Sequence, residues 1–101
     1  MANESHTIPW KQFKEQIADE KNVVIDVRTP AEIEGGKLFP DALEIDFYDP
    51  QFENKISELD PSKTYYIYCR SGGRSDMALS TFRKYNLDTY HLRGGYNAAH
   101  E

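Results

Sequence analysis

Short runs of β-branched and aromatic residues alternate along this chain with stretches of helical periodicity, and that alternation limits the fold more than any single residue does. Residues 23–27 (Val-Val-Ile-Asp-Val) are nearly continuous in apolarity, the pattern of a strand covered on both faces. Residues 64–69 (Thr-Tyr-Tyr-Ile-Tyr-Cys) have strong β propensity, and residues 42–45 and 89–92 read as further strands. Between them, Trp10, Phe13, Ile17 and Ala18 share one helical face behind Pro9, with Pro9 in the first turn. Ser75 opens a second face carrying Ala78, Leu79, Phe82 and Tyr85, and Asn86 suits a left-handed stop. Thr29-Pro30-Ala31-Glu32 matches a capping box with proline at the first helical position. Residues 51–59 carry a weaker helical pattern, and Ile8, held before Pro9, is extended. Strands alternating with helices pair in parallel, so the expected fold is α/β, a mostly parallel central sheet of about five strands flanked by helices on both faces.

A chain of 101 residues has room for one core and not for two. No repeat, low-complexity tract or linker interrupts it, so residues 1–101 read as one domain with its core at about residues 8–99. The longest apolar run is five residues, 65–69, against the ~20 a membrane span requires, and no membrane partner is expected. The opening residues lack the basic and apolar regions of a secretory leader, and the expected setting is cytoplasmic, where a thiol stays reduced. The net charge of −5 speaks against nucleic acid as a partner. That charge is unevenly spread: residues 1–64 hold 14 acidic and 7 basic groups, residues 65–101 hold 3 and 5. An anion is drawn to the second part. His6, His91 and His100 are too scattered to hold a metal, and no glycine-rich nucleotide motif is present, so neither metal nor cofactor is expected. His91 reads as a sheet side chain, and the tyrosines at 65, 66 and 68 as packing, because no basic stripe accompanies them.

The chemistry concentrates in Cys69-Arg70-Ser71-Gly72-Gly73-Arg74-Ser75, at the carboxyl end of a predicted strand, where sites form in such sheets. Gly72 and Gly73 let the backbone curl so that several N–H groups point inward as an anion-binding nest. The following helix presents its positive end, and Arg70 and Arg74 add two permanent charges. Together these favour thiolate over thiol, which marks Cys69, the only cysteine in the chain, as a candidate nucleophile. The bland alternative, a small buried hydrophobe ending a strand, does not account for two glycines and two arginines in five residues. For Arg74, contact with an anion and service as a brace under the loop both fit. Asp26, Arg28 and Glu32 lie at the same edge. Arg28 and Glu32 are four residues apart, and an ion-pair network bracing the pocket is expected of the three. Arg93, before Gly94-Gly95, either enlarges the positive rim or is a solvated strand-end arginine. Asp76 reads as a helix first-turn carboxylate.

The chain resembles a single-domain rhodanese, a thiosulfate sulfurtransferase, from about Ile8 to Ala99. The likeness is carried by Val24-Ile25-Asp26-Val27-Arg28 with Glu32 following, by the specific Cys69-Arg70-Ser71-Gly72-x-Arg74-Ser75 loop, and by Leu92-Arg93-Gly94-Gly95-Tyr96. The resemblance implies a cycle in which Cys69 takes the outer sulfur of thiosulfate, sulfite leaves, and the persulfide passes its sulfur to cyanide or a thiol. It makes Cys69 the nucleophile, Arg70 and Arg74 contacts for the anionic donor, and the backbone of residues 71–75 the cradle. With no second cysteine, the acceptor comes from outside the chain, as a small thiol, cyanide or a sulfur-relay protein. A persulfide carrier or interaction module with little thiosulfate turnover is the alternative. Phosphatases and arsenate reductases of related fold are less favoured, since phosphatase loops place five residues between cysteine and arginine and this loop places four. The chain departs from the family at two points. Gly36-Lys37-Leu38-Phe39-Pro40-Asp41-Ala42 stands where a Gly-His-Ile-Pro-Gly-Ala-like turn is usual, one residue longer and with Asp41 at the usual glycine. Ala99 replaces an aromatic residue, typically Trp, and is expected to open the pocket toward larger acceptors.

Overall fold

The structure is a computed structural model and describes residues 4–99. In chain order its elements are β1 (Thr7–Ile8), α1 (Trp10–Ile17), β2 (Asn22–Asp26), α2 (Pro30–Glu34), β3 (Leu43–Glu44), α3 (Phe52–Ser57), β4 (Thr64–Tyr68), α4 (Gly73–Lys84) and β5 (Asp88–Leu92), with 3-10 turns at Glu4–His6 and Gly95–Ala98. The five strands form one sheet in the order β1-β5-β4-β2-β3, every pair parallel.

Strand β4 shows how the sequence builds both layers, because successive side chains on a strand point to opposite faces. Tyr65, Ile67 and Cys69 pack with Ile25, Val27, Phe52, Ile56, Ala78, Leu79 and Phe82, which places α3 and α4 on one face. Tyr66 and Tyr68 pack with Ile8, Phe13 and Leu92, which places α1 on the other. Phe13, Ile56, Ile67 and Phe82 are fully buried, each contributing about 1.5–3 kcal/mol relative to an exposed side chain. α2 buries none of its residues. It is held at its start by the predicted capping box, in which the Glu32 amide donates to the Thr29 hydroxyl while the Glu32 carboxylate accepts from the Thr29 amide.

Several boundaries move. The expected helix start at Ser75 lies two residues inside α4, which begins at Gly73 because Gly72 makes the reversal in the left-handed region. Pro9 is the residue before α1 rather than within it, with extended backbone (φ −74°, ψ 165°), and Ala18 is exposed where the chain leaves that helix. The weak pattern at 51–59 yields Phe52–Ser57, and the strand expected at 42–45 yields Leu43–Glu44. Ile8 is extended as expected, and with Thr7 it forms an edge strand opposite His91 and Leu92. Asn86 ends the α4 segment with φ 61°, as expected. Among the described residues no helix is long and apolar enough to cross a membrane.

Candidate active site

Cys69 directly follows β4 and is 1% exposed. The backbone then runs through Gly72, whose φ of 106° only glycine adopts freely, and enters α4. That reversal folds the first amides of α4 back over the strand end. The Gly72 amide donates to Cys69 Sγ at 3.0 Å, and the Ser75 hydroxyl and the Ser75 and Ser71 amides are near enough to the same sulfur to favour its charged form. Burial alone would push the thiol up. The Ser75 hydroxyl, followed by the amides of Ser75, Gly72 and Ser71, outweighs burial and brings it below its ordinary value. Gly73, given the same backbone duty as Gly72 on sequence grounds, has none. It is the first residue of α4, and a Cβ there would meet nothing within 4 Å.

The segment after β5 grips the loop from behind. Gly94 and Gly95 both have positive φ, 73° and 60°. They aim the Tyr96 amide at the Cys69 carbonyl (2.8 Å) and the Asn97 amide at the Arg70 carbonyl (3.0 Å). A Cβ on Gly95 would stand 2.5 Å from the Cys69 carbonyl oxygen and 2.8 Å from Arg70 backbone atoms, so the two segments approach as closely as glycine allows.

The charged residues form two separate pairs rather than the expected network of Asp26, Arg28 and Glu32. Arg28 turns back on Asp26, donating from its amide (2.9 Å), Nε (3.0 Å) and NH2 (2.8 Å), and also reaches the Gly36 carbonyl at 2.6 Å. Both side chains of this pair are buried, and the guanidinium lies 4.4 Å from the Tyr96 ring. Glu32 is unavailable to Arg28 because its carboxylate is turned to the Thr29 cap and to Arg74, which donates from NH1 and NH2 at 2.8 Å each. Arg74 thus braces α2 against the start of α4, with the Tyr48 ring 5.6 Å from its guanidinium. Arg74 holds the Glu32 carboxyl down to about 2, against the opposing effect of burial and with help from Thr29. The bond to Glu32 in turn raises Arg74 against the opposing effect of burial, with a smaller contribution from the field of Cys69.

Arg70 is exposed at the loop tip, and among the described residues no ion pair or hydrogen bond holds its guanidinium. Arg93 is exposed at the end of β5, close enough for its charge to act on His91. Ala99 packs against the cluster of Ile8, Phe13 and Tyr68 on the sheet face away from Cys69. That packing gives no support to the wider pocket expected from this position, since Cys69 belongs to the other cluster. Among the described residues no group of three metal-ligating side chains occurs.

His91 is the residue that sequence reasoning missed. It is 3% exposed, sits beside Ile67 in the sheet, and contacts the Ser75 hydroxyl through Nδ1 at 2.8 Å. Its Nε2 faces the Thr7 hydroxyl at 3.0 Å and Asp76 at 3.5 Å. Burial pushes it below the ordinary histidine value, opposed by Asp76 and reinforced by Arg93. The available signal was the β-strand alternation, which puts residue 91 on the same face as residues 67 and 69 once the register is known.

A parallel α/β sheet whose central strand ends in a cysteine, with amides and a hydroxyl converging on its sulfur, defines an activated-cysteine loop domain. Residues 9–101 match the rhodanese-like domain, and the chain belongs to that family. A sulfurtransferase of Allochromatium vinosum is 35% identical over 97 residues, covering 94% of this chain and 85% of the relative. A rhodanese-related protein of Thermoplasma volcanium superposes with a TM-score of 0.81 at 24% identity, over 93% of this chain and 89% of that one. A rhodanese-like domain protein of Staphylococcus aureus gives 0.80 at 25% identity, over 94% and 91%.

Proposed function

We propose that the protein is a sulfurtransferase in which Cys69 takes a sulfane sulfur from thiosulfate or a related anionic donor and hands it, as a persulfide, to a thiol or cyanide. Family membership and the relative named a sulfurtransferase support the class of activity. The observation that carries the mechanism is the convergence of the Gly72 amide, the Ser75 hydroxyl and amide, and the Ser71 amide on one buried sulfur whose titration they depress.

In the first half-reaction the Cys69 thiolate attacks the outer sulfur of thiosulfate. The S–S bond of the donor breaks with its electron pair leaving on sulfite, and Cys69 carries a persulfide anion. In the second, cyanide or an acceptor thiolate attacks the terminal sulfur, and the Cys69 thiolate leaves. No proton and no redox partner is needed. The loop's role is electrostatic: amides fixed around the sulfur hold negative charge at each stage without reorganising. In this reading Arg70, exposed at the loop tip, meets the sulfonate end of the donor, and Arg93 adds to the positive rim. Arg74, bidentate to Glu32, holds the loop in place and contributes its field. With one cysteine in the chain, the acceptor is external, a small thiol, cyanide or a sulfur-relay protein.

The test is intact-protein mass spectrometry after thiosulfate treatment, combined with steady-state turnover against a panel of acceptors. The expected result is an adduct of a single sulfur on the parent protein that is discharged by cyanide, and neither adduct nor turnover in Cys69→Ser. Absence of the adduct, or turnover retained in Cys69→Ser, overturns the reading. Tight binding of a partner together with negligible turnover would instead identify a carrier.

A further inference from the structure

We propose that His91 is a positioning residue for Cys69: a proton held on its Nδ1 fixes the Ser75 hydroxyl as a donor to the Cys69 thiolate. This rests on the reading of Cys69 as the reacting thiol and on the number of hydrogens available around Ser75. The Ser75 hydroxyl has a single hydrogen, contacts His91 Nδ1 at 2.8 Å and the Gly72 carbonyl at 3.3 Å, and has as a third acceptor the Cys69 sulfur, whose charged form it favours. If Nδ1 were bare, it would compete for that hydrogen from 2.8 Å, and a hydroxyl turned to it would be lost to the thiolate as a donor. If Nδ1 carries a proton, it occupies a lone pair of Oγ and cannot accept. The hydroxyl hydrogen is then left to the sulfur or the carbonyl, and the anion is the stronger acceptor.

The surroundings of the ring are compatible with that tautomer. The Thr7 hydroxyl lies 3.0 Å from Nε2 and is able to donate to it, and in that arrangement the ring proton is on Nδ1. Asp76, 3.5 Å from Nε2, favours a proton there instead, but its side chain is 49% exposed and its field is screened by water. When both nitrogens are protonated, Nδ1 still donates to Ser75, so the relay survives in the cation. The charged and polar groups facing the ring are therefore Thr7 on β1, Ser75 and Asp76 on α4, Arg93 beyond β5, and Cys69 through Ser75. Burial and Arg93 hold the imidazole toward its neutral form against Asp76.

The single cysteine makes the test direct. Protein labelled with carbon-13 at the cysteine Cβ gives one resonance whose shift follows thiol ionisation. Titrations compare the parent with Ser75→Ala, His91→Leu, His91→Gln, His91→Asn and the Ser75→Ala/His91→Leu double variant. Loss of one hydrogen bond to a charged group is worth roughly one pH unit, so Ser75→Ala is expected to raise the thiol midpoint by about that much, while His91→Leu and His91→Gln, which keep the hydroxyl but free it to turn to the Gly72 carbonyl, are expected to raise it by a smaller, resolvable amount. His91→Asn places an amide donor near the position of Nδ1 and should stay close to the parent. His91→Leu should add nothing once Ser75 is Ala. A midpoint unmoved by His91→Leu, equal shifts for the Asn and Gln variants, or a full His91→Leu shift in the absence of Ser75 would overturn the proposal. Nitrogen-15 shifts of the His91 ring in the unaltered protein give an independent reading, and a bare Nδ1 while Cys69 is ionised also overturns it. Neither measurement requires sulfur transfer, so a parent protein that titrates as expected but forms no persulfide refutes the transfer reading and leaves the relay intact.

Discussion

Replacing Glu32 by Gln tests whether the brace between α2 and α4 contributes stability through its charge. The Glu32 carboxylate accepts two bonds from Arg74 at 2.8 Å and two from Thr29, from the amide at 3.0 Å and the hydroxyl at 3.1 Å. Arg74 above all, against burial, lowers its carboxyl from 4.5 to about 2. At about 1.4 kcal/mol per pH unit this sets a ceiling of roughly 3 kcal/mol. The two side chains are 15% and 22% exposed, and solvent screening reduces the expected cost to about 1–2 kcal/mol. For a domain of this size that is a fall in Tm of roughly 5–15 °C at neutral pH. The sign of the pH dependence follows from the depressed carboxyl. Its contribution is fully present above the unfolded value of 4.5 and is lost as pH falls through about 2. Thermal or urea unfolding of parent and Glu32→Gln, followed by circular dichroism from pH 7 down to about 2.5, should show a gap that narrows steadily below the unfolded carboxyl value. A variant as stable as the parent at pH 7, or a gap of constant size across the range, would refute the reasoning.

Gly95→Ala should be costly, because its Cβ would meet the Cys69 carbonyl oxygen at 2.5 Å with φ at 60°; left-handed strain and overpacking together amount to about 2–5 kcal/mol. Gly73→Ala, where a Cβ meets nothing within 4 Å, should match the parent or gain up to about 1 kcal/mol. Paired urea titrations check both, and equal effects at the two glycines would contradict the assigned geometry. Asp26→Asn leaves the buried Arg28 guanidinium without its counter-charge and should cost about 3–5 kcal/mol, read as a lower urea midpoint. A loss under about 1 kcal/mol would show that the Gly36 carbonyl and the Tyr96 ring suffice to hold the cation.

What was legible in the sequence was whatever depends on neighbours along the chain. The run of β propensity at 64–69, the Thr29–Glu32 capping box and the left-handed stop at Asn86 are local, and the structure keeps each of them. The cysteine loop was legible for the same reason, since strand, glycine reversal and helix start are consecutive. What depends on register was not. That Glu32 would choose Arg74 over Arg28, four residues away, is decided by where α4 lies against α2, a contact 42 residues apart in sequence. That His91 would stand over Ser75 depends on β5 pairing beside β4 with residue 91 opposite residue 67. Short edge elements such as β1 carry too few residues to show a period, and only pairing with β5 makes Thr7–Ile8 a strand.

The two departures from the family pattern meet in one place. Residue 99 supplies only a methyl group to the cluster around Phe13 and Tyr68, while the lengthened turn at 36–42 brings Phe39 into that same cluster. The Phe39 ring lies 5.7 Å from Trp10, 6.0 Å from Phe13 and 6.1 Å from Tyr68, meeting Tyr68 edge-on. Cores depend on volume and pattern more than on which position supplies them, and here Phe39 and Ala99 pack on the same cluster. The turn is then held by the Leu38 amide on the Tyr68 hydroxyl at 3.2 Å and by Lys37, which donates to the Pro40 and Ala42 carbonyls. Tyr68 is the last residue of β4, so this repacked layer bears on the strand end from which Cys69 projects, but from the opposite side of the sheet. The changes that look most disruptive along the chain therefore act on the seat of the loop, and the amides and hydroxyl around the sulfur come from segments that neither change touches.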